Sequence, residues 1–177
     1  MSKNILRKHY LKIRHELYLN GDLEIISSKI VNNILNSEFF KQSKNIAIYY
    51  PIKDEVNILD ITTKSDKKFY LPKCINNNLY FAQFSCSLKK GTFSIPEPQG
   101  KTIDADILDL IFIPAICCNH GYYRLGYGKG FYDRFFAYNL IKARKIIVLP
   151  SCCITNEFVE DEFDYKCDNI ICENTII

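Results

Sequence analysis

Glycine is scarce in this chain, with seven residues in 177. No internal repeat, linker or low-complexity tract is visible, so any cluster of those glycines needs a reason. Long apolar runs are missing too. The longest, at 110–116 and 146–150, fall far short of the roughly 18–20 residues a membrane helix requires, which excludes a membrane-spanning protein. No two cysteines stand in C-x2-C spacing, although eight are present at Cys74, Cys86, Cys117, Cys118, Cys152, Cys153, Cys167 and Cys172. Two of the pairs are adjacent residues, a poor start for a zinc knuckle, and no signal peptide opens the chain. Reduced cysteines acting as small core hydrophobes in a cytoplasmic protein are therefore expected. Charge of one sign is also lacking. Twenty-three Lys and Arg against 20 Asp and Glu leave +3, too mild to argue for a nucleic-acid binder.

What the chain does contain is an orderly succession of helix and strand signals. Leu6, Tyr10, Ile13 and Leu17 recur at three-to-four-residue spacing and predict a helix over 4–20. Lys3, Arg7 and Arg14 fall within roughly 40° of one another beside that stripe. Asn20-Gly21-Asp22 ends the helix. A second helix is expected through Ile25, Ile26, Ile30, Ile34 and Leu35 towards Phe40. Residues 45–51 read as a strand closed by a proline, 56–63 as a short helix, 68–72 as a strand, and 79–84 as an edge or hairpin strand. Residues 89–101, with two prolines and two glycines, read as loop. The nearly continuous apolar run 108–114 predicts a strand buried on both faces. A long polar loop, a helix through Phe135, Phe136 and Leu140, a buried strand at 145–149 and a last strand at 168–172 complete the order. This alternation predicts one α/β domain over 1–177, three layers deep, with a mostly parallel central sheet and helices on both faces.

The scarce glycines then gather in one place. Arg124-Leu-Gly-Tyr-Gly-Lys-Gly-Phe-Tyr-Asp-Arg134 holds Gly126, Gly128 and Gly130 at alternate positions, with Gly121 just upstream. The segment follows the buried strand and leads into a helix, the edge where open α/β sheets bind ligands. Glycines let backbone approach a ligand, and amides at a helix start favour an anion, phosphate above all. Arg124 and Lys129 add cations suited to a polyphosphate, and Asp133 could hold its Mg2+. The pattern is neither a Walker A loop nor the dinucleotide fingerprint. A plain glycine turn with solvated charges is the alternative.

The same eleven residues resemble the signature of the 5-formyltetrahydrofolate cyclo-ligases, also called methenyltetrahydrofolate synthetases. Four further stretches match that family in order: Lys3-Asn-Ile-Leu-Arg7, Tyr49-Tyr50-Pro51 with Asp54-Glu55, Ile95-Pro96-Glu97-Pro98, and Asp164 with Asp168. The resemblance implies an ATP- and Mg2+-dependent ligase that turns 5-formyltetrahydrofolate into 5,10-methenyltetrahydrofolate. It implies that Lys3 and Arg7 grip ATP phosphates from the first helix. Arg124, Leu125, Gly126, Tyr127, Gly128, Lys129, Gly130, Phe131 and Tyr132 wrap the triphosphate, with Lys129 and Arg124 serving the transferring phosphoryl group. Asp133 and Asp164 hold Mg2+, and Tyr50 and Glu55 meet the folate, with Tyr127 and Phe131 also near it. A folate and ATP are the implied partners, with no nucleic acid, membrane or obligate protein partner.

Four positions depart from the family pattern. Asn119 stands where Asp is usual, Tyr122 where Gly is, Phe163 in place of a polar residue, and Cys153 about where Gln is common. Two rival readings remain at this level. One is an α/β protein binding a phosphorylated sugar or CoA-like ligand without ligase activity. The other is a nucleic-acid binder using the basic first helix.

Overall fold

The computed structural model describes residues 1–85 and 87–177. Its organising feature is a set of strands apolar on both faces. In β6 (Leu110–Pro114), Leu110 and Phe112 enter one core while Ile111 and Ile113 enter the other. The same alternation splits Ile46 from Ala47 in β1 (Asn45–Ala47) and Ile146 from Ile147 in β9 (Arg144–Val148). Such strands have no face to offer water, so they occupy the interior of a sheet covered on both sides. With β2 (Lys68–Ile75), β3 (Asn78–Gln83) and β10 (Asn169–Ile171) they form one six-stranded sheet in the order β10-β9-β6-β1-β2-β3. Every pairing is parallel except β2 with β3 at the edge. Those two form a hairpin closed by Asn76 and Asn77, both at positive φ (49° and 61°), the backbone a two-residue hairpin turn demands.

Helices cover both faces, as the alternation predicts. Leu6 and Tyr10 of α1 (Lys3–Leu19) and Phe135 and Phe136 of α4 (Phe131–Tyr138) pack on one. Leu23, Ile30, Val31 and Ile34 of α2 (Asp22–Asn36) pack on the other, with Phe40 of α3 (Glu38–Gln42). The second helix does not run unbroken to Phe40. Ser37 turns extended, its hydroxyl accepting from the Phe40 amide, and restarts the chain as α3. Nor does the fourth helix reach Leu140, which is 98% exposed. Asn139 ends it by donating to the Phe135 carbonyl at 2.7 Å. Residues 89–101 are not plain loop. β4 (Leu88–Lys90) and β5 (Pro96–Pro98) pair antiparallel there as a small hairpin. A second small pair, β7 (Cys117–Cys118) with β8 (Arg124–Leu125), precedes the glycine segment. The short helix expected at 56–63 is a 3-10 turn, Leu59–Thr62.

The cysteines largely follow expectation. Cys117, Cys118, Cys153, Cys167 and Cys172 are buried, Cys74 is half-buried, and all are free. Cys152 is exposed, on a 3-10 turn (Ser151–Cys153) that buries its neighbour Cys153 instead, and Cys86 lies outside the described residues. No group of three or more metal-capable side chains forms among the described residues. None of their helices is long and apolar enough to cross a membrane.

The topology also decides where a ligand can enter. From β1 the chain moves to β2 and β3 on one side, and from β6 to β9 and β10 on the other. The segments leaving β1 and β6 therefore diverge above the carboxyl edge and open a crevice between them.

Candidate active site

That crevice is a cavity of about 1000 Å³, and every site residue expected from the sequence lines it. Tyr50 and Glu55 come from the segment after β1, the 124–133 stretch from the segment after β6, Lys3 and Arg7 from α1, and Asp164 from a late loop.

The glycine loop is clamped at two carbonyls. Arg7 donates through Nε to the Gly126 carbonyl at 2.8 Å, and Arg134 of α4 donates through Nη1 to that of Lys129 at 2.7 Å. Between these clamps Gly128 (φ 86°) and Gly130 (φ 62°) adopt left-handed backbone, which only glycine takes without strain. A Cβ on Gly128 would also come 3.3 Å from the Arg7 guanidinium. Gly126 has neither constraint, so its role is open space beside the backbone. No amide of residues 126–130 donates to a protein oxygen among the described residues. Arg7, Lys129 and Arg134 make no ion pair there either. Unspent amides and unspent cations on one cavity wall suit a polyanion.

The other charges of this wall are paired. Arg124, 5% exposed, has Nη1 3.0 Å from Asp133 Oδ1, too oblique for a hydrogen bond. That nitrogen is the one buried side-chain polar atom without a hydrogen-bond partner among the described residues. An anion entering the cavity would satisfy it. Lys3 reaches Asp161 and Asp164, both at 2.6 Å. Burial draws the Lys3 pKa down, but the two carboxylates outweigh it and leave it raised, while the Lys3 hydrogen bond draws Asp161 below the usual carboxylate range. Asp133 and Asp164 are thus held by cations, with no preformed metal cage. The donor set still fits Mg2+ brought in on a nucleotide, since magnesium takes one or two carboxylates plus phosphate oxygens and water. Asp168, the other half of the late D-x3-D, lies elsewhere. Its Oδ2 accepts from the Lys145 amide at 2.7 Å and ties β10 to β9.

The opposite wall is drier. Glu55 is 9% exposed, with Oε2 accepting from the Ile52 amide at 3.0 Å and Oε1 3.9 Å from Arg14. Burial pushes its carboxyl above the ordinary value, and Arg14 opposes that only in part. Tyr49 locks the turn from beneath, its hydroxyl donating to the Val56 carbonyl at 2.6 Å. Tyr50 is half-buried at the rim.

Several residues of the site were not singled out from the sequence. Arg14 was visible as the third member of the Lys3–Arg7 stripe, but its burial depends on tertiary packing. Arg134 stands in the signature and gave no sign that it clamps the loop. Phe93, at positive φ (58°) on the tip of the β4–β5 hairpin, lies with its ring 5.7 Å from the Lys129 ammonium and 6.0 Å from the Phe131 ring. One of the departures finds an explanation. Asn119 accepts from the amides of Gly121 and Tyr123 and donates to Glu160 at 2.7 Å, so its amide pins the turn to the late loop. Tyr122 has φ 70°, a conformation that would suit glycine. Phe163 is 77% exposed on the cavity rim, and nothing in its surroundings explains its apolar character.

Fold and cleft together define a layered α/β protein with a crevice at a topological switch point, one wall of which suits an anion. Comparison with known proteins narrows this. The sequence model of the 5-formyltetrahydrofolate cyclo-ligase family matches residues 1–173, and the chain belongs to that family of ligases. The 5-formyltetrahydrofolate cyclo-ligase of Mycoplasma genitalium is 31% identical over 175 residues, covering 97% of this chain and 98% of that one. The structure of Aquifex aeolicus 5,10-methenyltetrahydrofolate synthetase superposes with a TM-score of 0.88 at 30% identity, over 99% of this chain and 92% of the other. That of the Mycoplasma pneumoniae synthetase gives 0.81 at 27%, over 98% and 100%.

Proposed function

We propose that this enzyme converts 5-formyltetrahydrofolate to 5,10-methenyltetrahydrofolate with ATP and Mg2+, releasing ADP and phosphate. The observation that carries the reading is the union, in one cavity, of unspent cations on a left-handed glycine loop with a buried carboxylate on the opposite wall. A formyl amide is a poor electrophile, and its oxygen a poor leaving group. Transfer of the γ-phosphoryl group to that oxygen produces an iminium-type phosphate. N10 attacks the formyl carbon, the new C–N bond closes the ring, the C–O bond breaks, and phosphate leaves as N10 loses its proton. Such chemistry asks chiefly for positioning and charge neutralisation.

In this reading Lys3, Arg7 and Arg124 hold the phosphates, and residues 125–132 wrap them. Lys129 neutralises the transferring group. With Arg124 and Lys3 turned to phosphate, Asp133 and Asp164 would be free to hold Mg2+, which would shield the nucleotide's charge. Glu55 accepts hydrogen bonds from the pterin amino and ring N–H groups, and Tyr50 offers an apolar surface. Residues 1–177 act as one cyclo-ligase domain, in the cytoplasm and without an obligate protein partner.

The test is an absorbance assay for methenyl-folate formation. Product is expected only with 5-formyltetrahydrofolate, ATP and Mg2+ together, and its absence under those conditions overturns the reading. A thermal-shift comparison adds a binding check, because MgATP should raise the melting temperature and a sugar phosphate should not.

A further inference from the structure

Arg14 heads the fully buried side chains in size, is 1% exposed, and has no part in the steps above. A guanidinium is tolerated in such a place only when its donors are satisfied and its charge is met. Here the donors go to three separate segments. Nε donates to the Asp54 carbonyl at 2.7 Å, Nη1 to the Ala115 carbonyl at 3.2 Å, and Nη2 to the Tyr127 hydroxyl at 3.2 Å. The countercharge is Glu55, 3.9 Å from Nη2. Tyr127 also faces Glu55, and its ring lies 5.9 Å from the guanidinium carbon.

These partners belong to both walls of the cavity. Asp54 and Glu55 form the turn after β1. Tyr127 lies between Gly126 and Gly128, in the loop that Arg7 and Arg134 clamp. It stays 44% exposed to the cavity although its hydroxyl is engaged. A side chain serving only the core would have no need to end on a loop residue that faces the ligand. Backbone carbonyls fix Nε and Nη1, so Nη2, the nitrogen that faces Glu55, is the one Arg14 donor whose acceptor lies on the glycine loop, and ordering that loop fixes its contact with Glu55.

We infer that Arg14 is a positioning residue that couples the two ligand sites, so that a nucleotide on the glycine loop tightens folate binding at Glu55, and folate tightens the nucleotide. The inference rests on the ligand assignments made under Proposed function. Linkage makes the factor identical in both directions, since a first ligand removes an ordering cost that the second would otherwise meet.

Calorimetric titration of 5-formyltetrahydrofolate into the full-length protein, with and without a saturating non-hydrolysable ATP analogue and Mg2+, measures the factor. For the wild type about tenfold is expected, within the usual range of about 5–150. Arg14→Lys keeps the charge but cannot span three acceptors, and its factor should fall below about twofold. Should that variant fail to fold, Tyr127→Phe deletes one oxygen, leaves both backbone bonds of Arg14 in place, and should lower the factor at least about threefold. A wild-type factor of one, or an undiminished factor in Tyr127→Phe, overturns the inference. If the wild-type protein makes the methenyl product while Tyr127→Phe keeps the coupling, only this inference falls. If the wild type binds neither ligand, the functional reading fails and this one with it.

Discussion

The two walls of the cavity are built on opposite principles. On the glycine wall the cations without an ion pair are accessible, Lys129 exposed on the loop and Arg7 half-buried on α1, where it holds the loop by a carbonyl as Arg134 does. The Glu55 wall is sealed. Glu55, Arg14 and Tyr49 are 9%, 1% and 2% exposed, and each is fixed by backbone. A solvated polyanion can be met by mobile charges, because long-range attraction tolerates loose geometry. A flat heterocycle with a fixed set of N–H donors needs an acceptor already stripped of water and aimed. Substitutions on the first wall should therefore change rate with little effect on folding, whereas those on the second should change recognition and stability together.

The sharpest way to break that contrast is Lys129→Ala. The side chain carries no hydrogen bond or ion pair among the described residues, only the ring contact with Phe93. Loss of one charge at the transferring group should lower kcat by roughly 10²–10³-fold, comparable to removing one oxyanion donor. The melting temperature should stay at the wild-type value. A variant that keeps its rate, or loses its fold, would place Lys129 in the scaffold rather than in the chemistry.

The same contrast explains what could be read from the sequence. The glycine wall was legible because its needs are local. Left-handed backbone at Gly128 and Gly130 requires glycine, and cations beside it show as spacing. The strands apolar at every position announced a doubly covered sheet before any tertiary contact was known. Arg14 was legible only as a position on a basic stripe, since nothing in its neighbours says that α1 lies against the segments after β1 and β6. The β4–β5 hairpin was hidden for a related reason. Its strands hold Lys89, Lys90, Pro96 and Pro98, and they pair with each other rather than through a hydrophobic alternation. Ser37 and Asn139 ended helices by side-chain capping, a competition that apolar periodicity does not register.

Glu55→Gln tests the sealed wall with a smaller effect. The variant keeps the shape and loses the charge proposed to accept from the pterin. Hydrogen bonds to charged groups contribute about 1.5–3 kcal/mol, so the folate KM should rise by roughly 10- to 100-fold, while the affinity for MgATP measured without folate moves less than about twofold. Equal losses for both ligands would erase the distinction between the walls. The same residue sets a pH signature. Its folded pKa is raised above the ordinary 4.5 by burial, with Arg14 opposing only in part. A raised carboxyl contributes stability that is full below 4.5 and is lost as pH rises through the folded value. Wild-type stability relative to Glu55→Gln should therefore decline across that window, while folate binding improves as the carboxylate forms. Flat profiles in both measurements would mean that Glu55 is not the acceptor.

The smallest effect expected probes the boundary of the exposed wall. Lys3 is shared between Asp161 and Asp164, both at 2.6 Å, with Asp161 the more exposed of the two at 51%. In the proposed reaction Lys3 must leave these carboxylates for a phosphate, so the pairs compete with nucleotide binding. Exposed pairs contribute about 0.2–1 kcal/mol, so Asp161→Asn should lower the KM for ATP by no more than about fivefold. The folate KM should not move, and the melting temperature should fall by no more than about 2–4 °C. Added salt screens the exposed pair, and should narrow the difference between variant and wild type. Were the KM for ATP to rise instead, Asp161 would be helping to hold the nucleotide rather than competing for Lys3, and the late loop would join the glycine wall as a binding element.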